Sequence, residues 1–277
     1  MSVWILNQSQ GRGILFIIGI LTTFQPMELR GKHILVTGAS QGIGRAIAME
    51  LMAQGGRVVI HYNTNEKAAR ALIAEFPDTH SEMVQADLEN PEEVSHLFDE
   101  SLSLLGHLDT IIFNAGVFFP HPVAQSPEDW YAVWRKTLSI NLDSVGQLTQ
   151  LGITHFMKRG RGRFIYIGSR AAFRGETAEY LAYAASKGGI TSLSRSVARS
   201  FGKAGITSFV IAPGFTRTAM AESFIASHGE ALLLDEIALP ELTRPSHIAP
   251  FTAFICSGQM DHATGTVIDF NAGSYMH

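Results

Sequence analysis

Tyr183 and Lys187 stand four residues apart in Tyr183-Ala184-Ala185-Ser186-Lys187. On a helix that spacing puts both side chains on one face. A phenol with its ordinary pKa of about 10 is a poor base at neutral pH, and a neighbouring ammonium favours the ionised form. The pair therefore suits proton transfer to and from a substrate oxygen. An aromatic residue merely packed beside a surface lysine is the plainer alternative. Ser169 closes a second segment, Ile165-Tyr166-Ile167-Gly168-Ser169. It is expected at the end of the fifth strand, on the edge where α/β sheets take ligands.

A glycine cluster supplies the other half of the chemistry. Thr37-Gly38-Ala39-Ser40-Gln41-Gly42-Ile43-Gly44 follows one apolar run and opens a helix-forming stretch. Glycines at 38, 42 and 44 would turn the chain, let its backbone approach a pyrophosphate, and let helix and strand pack closely. The helix N-terminus then offers free N–H groups and the positive end of its dipole. Glycines alone are weak evidence; this position, after the first strand of an alternating pattern, strengthens them.

The elements that must hold these residues repeat as strand, turn and helix. Ile34-Leu35-Val36, Val58-Val59-Ile60, Met83-Val84, Ile111-Ile112-Phe113, Phe164–Ile167, Phe209-Val210-Ile211 and Val267-Ile268 read as strands. Arg45–Met52 and Glu66–Phe76 read as helices, the second closed by Pro77. Asn90-Pro91-Glu92-Glu93, Ser126-Pro127-Glu128 and Ser246-His247 mark further helix starts. Continuous apolar strands separated by helices indicate a doubly wound, mostly parallel sheet covered on both faces. The expected fold class is thus three-layer α/β/α, a Rossmann fold, with residues 27–277 as one domain. The stretch 215–244 suits a lid, although a plain surface insertion fits nearly as well. Residues 1–26 hold an apolar run, 13–21, that is short of the roughly 20 residues needed to span a membrane. Three readings stand: a start at Met27, which is favoured, an amphiphilic anchor, or a poorly packed extension.

Taken together, the T-G-x-x-x-G-x-G spacing, Asn114-Ala115-Gly116, Tyr183-x-x-x-Lys187 and Pro213-Gly214 resemble the short-chain dehydrogenase/reductase family. Among its members the chain looks most like the 3-oxoacyl-carrier-protein reductase type, and the match runs from about Met27 to the C-terminus. The resemblance implies hydride transfer between a nicotinamide and a carbonyl or alcohol carbon. In it Tyr183 is the acid/base, Lys187 its partner, and Ser169 polarises the substrate oxygen. Asn141 holds a water that links the lysine to solvent, or else is a mid-helix asparagine at a kink. For the cofactor it implies Gly38, Ser40, Gln41, Gly42, Ile43 and Gly44 at the pyrophosphate. Asp87 and Leu88 flank the adenine, and Asn114, Ala115 and Gly116 line the trough. Pro213, Gly214, Thr216 and Thr218 lie near the nicotinamide, beside Tyr183 and Lys187. Phe113 departs from the pattern, where an asparagine is common. Members commonly assemble as homo-oligomers, so a tetramer or dimer is expected.

Cofactor choice turns on the end of the second strand. An acid there would bind a ribose 2′-OH and repel a 2′-phosphate. The sequence instead reads His61-Tyr62-Asn63-Thr64-Asn65, and neutral donors at Asn63 and Thr64 favour NADP(H) over NAD(H). Gln41, where an Arg or Lys often accompanies NADP use, argues the other way. By resemblance a 3-oxoacyl thioester is an expected substrate, with a small ketone, sugar or hydroxy-acid derivative equally open. Gln147 stands where carrier-protein versions often have an arginine, which weakens a carrier-bound substrate, although Arg199 is present. The variable loop 170–182 carries Arg170, Arg174, Glu176 and Glu179.

Composition limits the remaining classes. A net charge of −4 gives no electrostatic reason to expect nucleic acid, and the basic stretch Lys158–Arg163 reads as a solvated loop. Eleven histidines show no metal-ligand spacing, so no metal is expected. No G-x-S-x-G elbow occurs, which argues against a hydrolase. One cysteine, Cys256, excludes an internal disulfide and fits a cytoplasmic protein; no membrane role is expected. The competing function is a catalytically silent dinucleotide-binding sensor or scaffold of the same fold.

Overall fold

Seven strands form among the residues that the computed structural model describes, which are 28–218, 221, 225 and 229–276. They are β1 (His33–Val36), β2 (Arg57–Tyr62), β3 (Glu82–Gln85), β4 (Thr110–Phe113), β5 (Gly162–Ile167), β6 (Ile206–Pro213) and β7 (Val267–Phe270). Their order is β3-β2-β1-β4-β5-β6-β7, and every neighbouring pair is parallel, not merely most of them. The three readings of residues 1–26 concern residues outside those described.

Alternation along each strand divides the core in two. Ile34 and Val36 of β1, Ile165 and Ile167 of β5, and Phe209 and Ile211 of β6 point to one face. They meet α1 (Gly42–Ala53), α2 (Glu66–Ala74) and α9 (Pro245–Ser257) through Ile47, Leu51, Leu72, Ile248 and Ile255. Leu35, Phe164, Tyr166 and Val210 point to the other face, against α3 (Pro91–Leu105), α5 (Ser144–Arg159) and α7 (Leu181–Phe201). Each fully buried aliphatic side chain contributes about 1.5–3 kcal/mol by leaving water. Both faces are apolar, so helices cover both, and three layers result. α4 (Pro127–Leu138), α6 (Ala171–Arg174) and α8 (Glu230–Leu234) complete the helical set used below.

The helix starts follow their capping chemistry. Asn90 accepts from the Glu92 N–H and Ser126 from the Asp129 N–H, each followed by proline at the first helical position. α9 begins at Pro245 with Arg244 as its cap, ahead of the expected Ser246-His247, because a proline at the first turn has no N–H to leave unpaired. α2 ends at Ala74 rather than Phe76, and Pro77–Thr79 forms a separate 3₁₀ turn. β2 runs two residues past Ile60, bringing His61 into the sheet.

The basic stretch near 160 is not simply solvated. Arg161 is exposed, but Arg163 lies in β5 with its guanidinium buried. It donates to the Cys256 carbonyl at 3.0 Å and pairs with Asp261. Arg159 pairs with the buried Asp109 at 3.1 Å. Arg163 thus fastens β5 to α9, and Arg159 fastens the end of α5 to the residue before β4.

Candidate active site

The sheet reverses its winding between β1 and β4, and a crevice opens there at the carboxyl ends of the strands. Thr37 secures this point. Its hydroxyl oxygen accepts from the N–H groups of Asn114 and Ala115, both at 3.0 Å. The Asn114 amide donates back to the Thr37 and Gly38 carbonyls, both at 2.9 Å. Gly38 and Gly42 adopt φ of +62° and +58°, a region that L side chains rarely enter. Gly44 is required for space instead: a Cβ there would lie 2.3 Å from the Asn114 amide nitrogen and 2.5 Å from the Gly38 oxygen. Gln41, at the start of α1, makes no side-chain capping bond. The first-turn N–H groups thus stay available at the positive end of the helix dipole. A cradle of bare backbone beside an uncapped helix start fits a pyrophosphate.

A cavity of about 830 Å³ follows the strand ends. Asn63, Thr64, Asp87 and Leu88 line it beyond β2 and β3. Gly38, Ser40, Gln41, Gly42, Ile43, Asn114, Ala115 and Gly116 line its middle. Ser169, Tyr183, Lys187, Pro213, Gly214, Thr216 and Thr218 line the far end, beyond β5 and β6. Two expected residues stand behind the wall: Gly44, against Asn114, and Asn141. Thr218 sits close over the glycine turn, its methyl 3.5 Å from where a Gly42 Cβ would be.

At the far end Lys187 Nζ donates to the Ile167 carbonyl at 2.8 Å. It lies 5.6 Å from the centroid of the Tyr183 ring. Ser169 stands two residues past β5, and its hydroxyl oxygen accepts from the Ala171 N–H at 3.1 Å. That bond leaves the serine proton free to donate elsewhere. Asn141 belongs to a π-helical turn, Ser139–Asp143, joining α4 to α5. Such widened turns recur at functional sites. Its amide brackets Val117, accepting from the N–H at 2.8 Å and donating to the carbonyl at 2.9 Å. It also donates to Ser186 Oγ at 3.2 Å. A Cβ on Gly116 would be 3.4 Å from Asn141 Oδ1 and 3.6 Å from Lys187 Nζ, so all three meet at one point.

Known proteins share this fold. The short chain dehydrogenase family profile matches residues 32–228. The chain belongs to the short-chain dehydrogenase family. It is 32% identical to the 3-oxoacyl-[acyl-carrier-protein] reductase FabG of Escherichia coli over 250 residues, 90% of this chain and 100% of that one. A short chain dehydrogenase from Burkholderia cenocepacia, solved in complex with NADP, superposes with a TM-score of 0.81 at 30% identity, covering 89% of this chain and 99% of that one. A 7α-hydroxysteroid dehydrogenase complexed with NADH and 7-oxo glycochenodeoxycholic acid gives 0.80 at 29% identity, covering 88% and 94%. The chain is accordingly an NAD(P)-dependent oxidoreductase acting on CH–OH groups, with a nicotinamide dinucleotide as cofactor.

The electrostatics of this dehydrogenase differ from the simple tyrosine–lysine expectation. Burial pushes the Tyr183 phenol up to about 12; the Ser169 hydroxyl pulls it down and the Glu176 carboxylate raises it further. Burial brings the Lys187 ammonium down to about 8. Desolvation thus outweighs the lysine, which holds a backbone carbonyl instead of the phenol. Among the described residues no cluster of three or more His, Cys, Asp or Glu could hold a metal. None of the described helices is long and apolar enough to cross a membrane.

Sequence reasoning missed His61. The Gly38 N–H donates to His61 Nδ1 at 2.9 Å, and Nε2 faces the Ala86 carbonyl at 3.0 Å. Nδ1 must therefore be the acceptor and Nε2 carry the proton, so the ring is neutral. Burial lowers its pKa to about 4. Between the unfolded value of 6.5 and this folded value, acid protonates the unfolded chain first. Stability is then complete above pH 6.5 and falls as pH drops toward 4, by on the order of 3 kcal/mol. Urea unfolding at pH 7 and pH 5 should show about 2 kcal/mol of this loss in the wild type and a smaller one in His61→Gln. Equal losses would remove His61 from the glycine turn's support.

Proposed function

We propose that this dehydrogenase interconverts a ketone and a secondary alcohol, with Tyr183 as acid/base and NADP(H) preferred. The observation that carries this reading is the convergence of Ser169, Tyr183 and Lys187 on one end of the cavity whose middle is the bare glycine turn. The nicotinamide, when bound, supplies or accepts the hydride. Tyr183, protonated at neutral pH because burial raises its pKa, donates its proton to the developing alkoxide in reduction and removes the alcohol proton in oxidation. Ser169, whose oxygen already accepts from Ala171, donates its proton to the substrate oxygen. Lys187, held by the Ile167 carbonyl, keeps a cation near the phenol, and Asn141 orders the loop at Val117 beside it.

The preference for NADP(H) rests on Asn63 and Thr64, exposed where the dinucleotide's ribose would lie, with no acid beside them. Relatives agree in both directions, since one solved neighbour carries NADP and another NADH. Asn63→Asp is expected to shift the ratio of kcat/KM for NADPH over NADH at least about tenfold toward NADH, by charge repulsion and a new ribose acceptor. An unchanged ratio would send the 2′-phosphate elsewhere.

A small ketone suits the site better than a carrier-bound thioester. Gln147 is neutral, and its amide is held by α3, donating to the Pro91 carbonyl at 2.7 Å and to Ser95 Oγ at 2.8 Å, so this position offers no cation to an acidic carrier. We read the protein as a cytoplasmic homo-oligomer with 27–277 as its single domain. The deciding experiment follows absorbance at 340 nm with NADPH and NADH against ketones, aldehydes and 3-oxoacyl thioesters. Cofactor oxidation with any of them supports the reading. Silence with cofactor binding intact would favour the sensor or scaffold.

A further inference from the structure

Four charged side chains gather where the loop after β5 meets the segment after α8: Arg170, Arg174, Glu176 and Glu236. Three of them are spent on one another. Glu236 accepts from Arg170 at 2.8 Å and from Arg174 at 3.3 Å. Arg170 is only 2% exposed and its guanidinium lies 5.1 Å from the Phe215 ring centroid. Glu176 is the member of the group without an ion pair among the described residues, and it lines the catalytic cavity together with Ser169 and Tyr183. Its carboxyl takes the Thr177 backbone N–H, which leaves lone pairs for a ligand.

The cavity wall between Glu176 and the reacting end is aromatic. Phe118 stacks flat on Tyr180, with centroids 3.8 Å apart and planes 2° from parallel. Phe118 also meets the Tyr183 ring nearly at right angles, with centroids 4.8 Å apart. A flat apolar wall favours a substrate with a hydrocarbon body. A carboxylate beyond it favours a hydrogen-bond donor and repels an anion.

We propose that Glu176 determines substrate specificity, accepting a hydrogen bond from a hydroxyl on a neutral, ring-bearing or compact ketone whose body lies against Phe118 and Tyr180. The proposal deepens the reductase reading and rests on it. A hydroxyl is preferred over an ammonium because burial raises the Glu176 carboxyl overall, and Arg174 and Arg170, which pull it partly back down, already bring positive charge within electrostatic reach of it. A free acid is disfavoured because those arginines are already paired with Glu236. The same carboxylate also opposes ionisation of Tyr183, so specificity and proton transfer meet at one side chain.

The test uses NADPH with three matched ketones: cyclohexanone, 4-hydroxycyclohexanone and 4-oxocyclohexanecarboxylate. In the wild type the hydroxyketone should exceed cyclohexanone in kcat/KM by about tenfold, the scale of one hydrogen bond to a charged group, and the acid should be poorest. In Glu176→Gln the hydroxyl preference should narrow and the acid's disadvantage disappear. With cyclohexane-1,4-diol and NADP⁺, the pH at which kcat is half-maximal should move to lower pH in Glu176→Gln. The groups facing the phenol there are Ser169 after β5, Lys187 on α7 and Glu176, with apolar Phe118 opposite. Equal kcat/KM for the three ketones in the wild type would overturn the proposal alone. So would a parallel fall for all three in the variant with no pH shift, the mark of a merely structural residue. No cofactor oxidation with any ketone in the wild type would instead bring down the reductase reading and this proposal with it.

Discussion

Tyr183→Phe is expected to lower kcat by a factor on the order of 10²–10⁴, the range supplied by a positioned proton donor, while dinucleotide affinity stays within about twofold. The substitution removes one oxygen and leaves the ring that packs nearly at right angles to Phe118 and lies beneath Lys187. The loss should therefore appear in kcat rather than in folding or cofactor binding. The direction of reaction adds a second sign. Oxidation needs the phenolate, and burial sets the phenol near 12, so the wild-type oxidative rate should climb with pH. That climb should vanish in Tyr183→Phe. Stopped-flow hydride transfer at several pH values would read both effects. A variant retaining most of its kcat would move proton transfer to another group and undo the assignment.

Gly44→Ala is expected to be nearly as damaging by a wholly different route. The added methyl would arrive 2.3 Å from the Asn114 amide nitrogen and 2.5 Å from the Gly38 oxygen, and one of those is main chain. Overpacking at such a point costs about 1–3 kcal/mol, or several degrees in Tm for a chain of this size. The Asn114 bonds to Thr37 and Gly38 must lengthen, and the cradle widens with them. Dinucleotide Kd should rise at least about tenfold by calorimetry. Gly146→Ala is the matched control, since nothing lies within 4 Å of its would-be Cβ on α5 and alanine is the better helix former. If both variants bound the dinucleotide like the wild type, the close fit at Gly44 would have no functional weight.

The contrast between these two sites shows what was legible in the sequence. Gly38, Gly42 and Gly44 lie within one short segment, as do Tyr183 and Lys187, so spacing alone implied shared geometry. The five inner strands were readable because both faces are buried and each run is continuously apolar, whereas the edge strands β3 and β7 are only partly buried and showed as two-residue apolar runs. His61 was not readable. Its partner Gly38 lies 23 residues away, and a neutral histidine within a strand looks like any other buried side chain. Glu176 was hidden differently: four charged residues in its loop looked alike, and only the pairing of Arg170 and Arg174 with Glu236 across the fold separates it from the rest. Arg163 was misread because its partners, Cys256 and Asp261, come about 90 residues later in the chain.

The widened turn at Ser139–Asp143 carries a consequence for how this chain can change. α4, the π turn and α5 run without a break from Pro127 to Arg159. A residue more or fewer in an α-helix rotates everything beyond it by about 100°. Deleting any one residue between 139 and 143 would relax the turn to ordinary helix and remove the bulge that carries Asn141. Because a π turn holds one residue more than the α-helix it interrupts, the same deletion would leave Val145, Leu148, Gly152 and Phe156 facing the sheet, and the loss would fall on Asn141 and its bonds to Val117. A residue lost within α4 or α5 would turn one half of this helix off its packing, whereas at this one turn the chain can lose a residue, and with it the placement of Asn141, while the core keeps its phase.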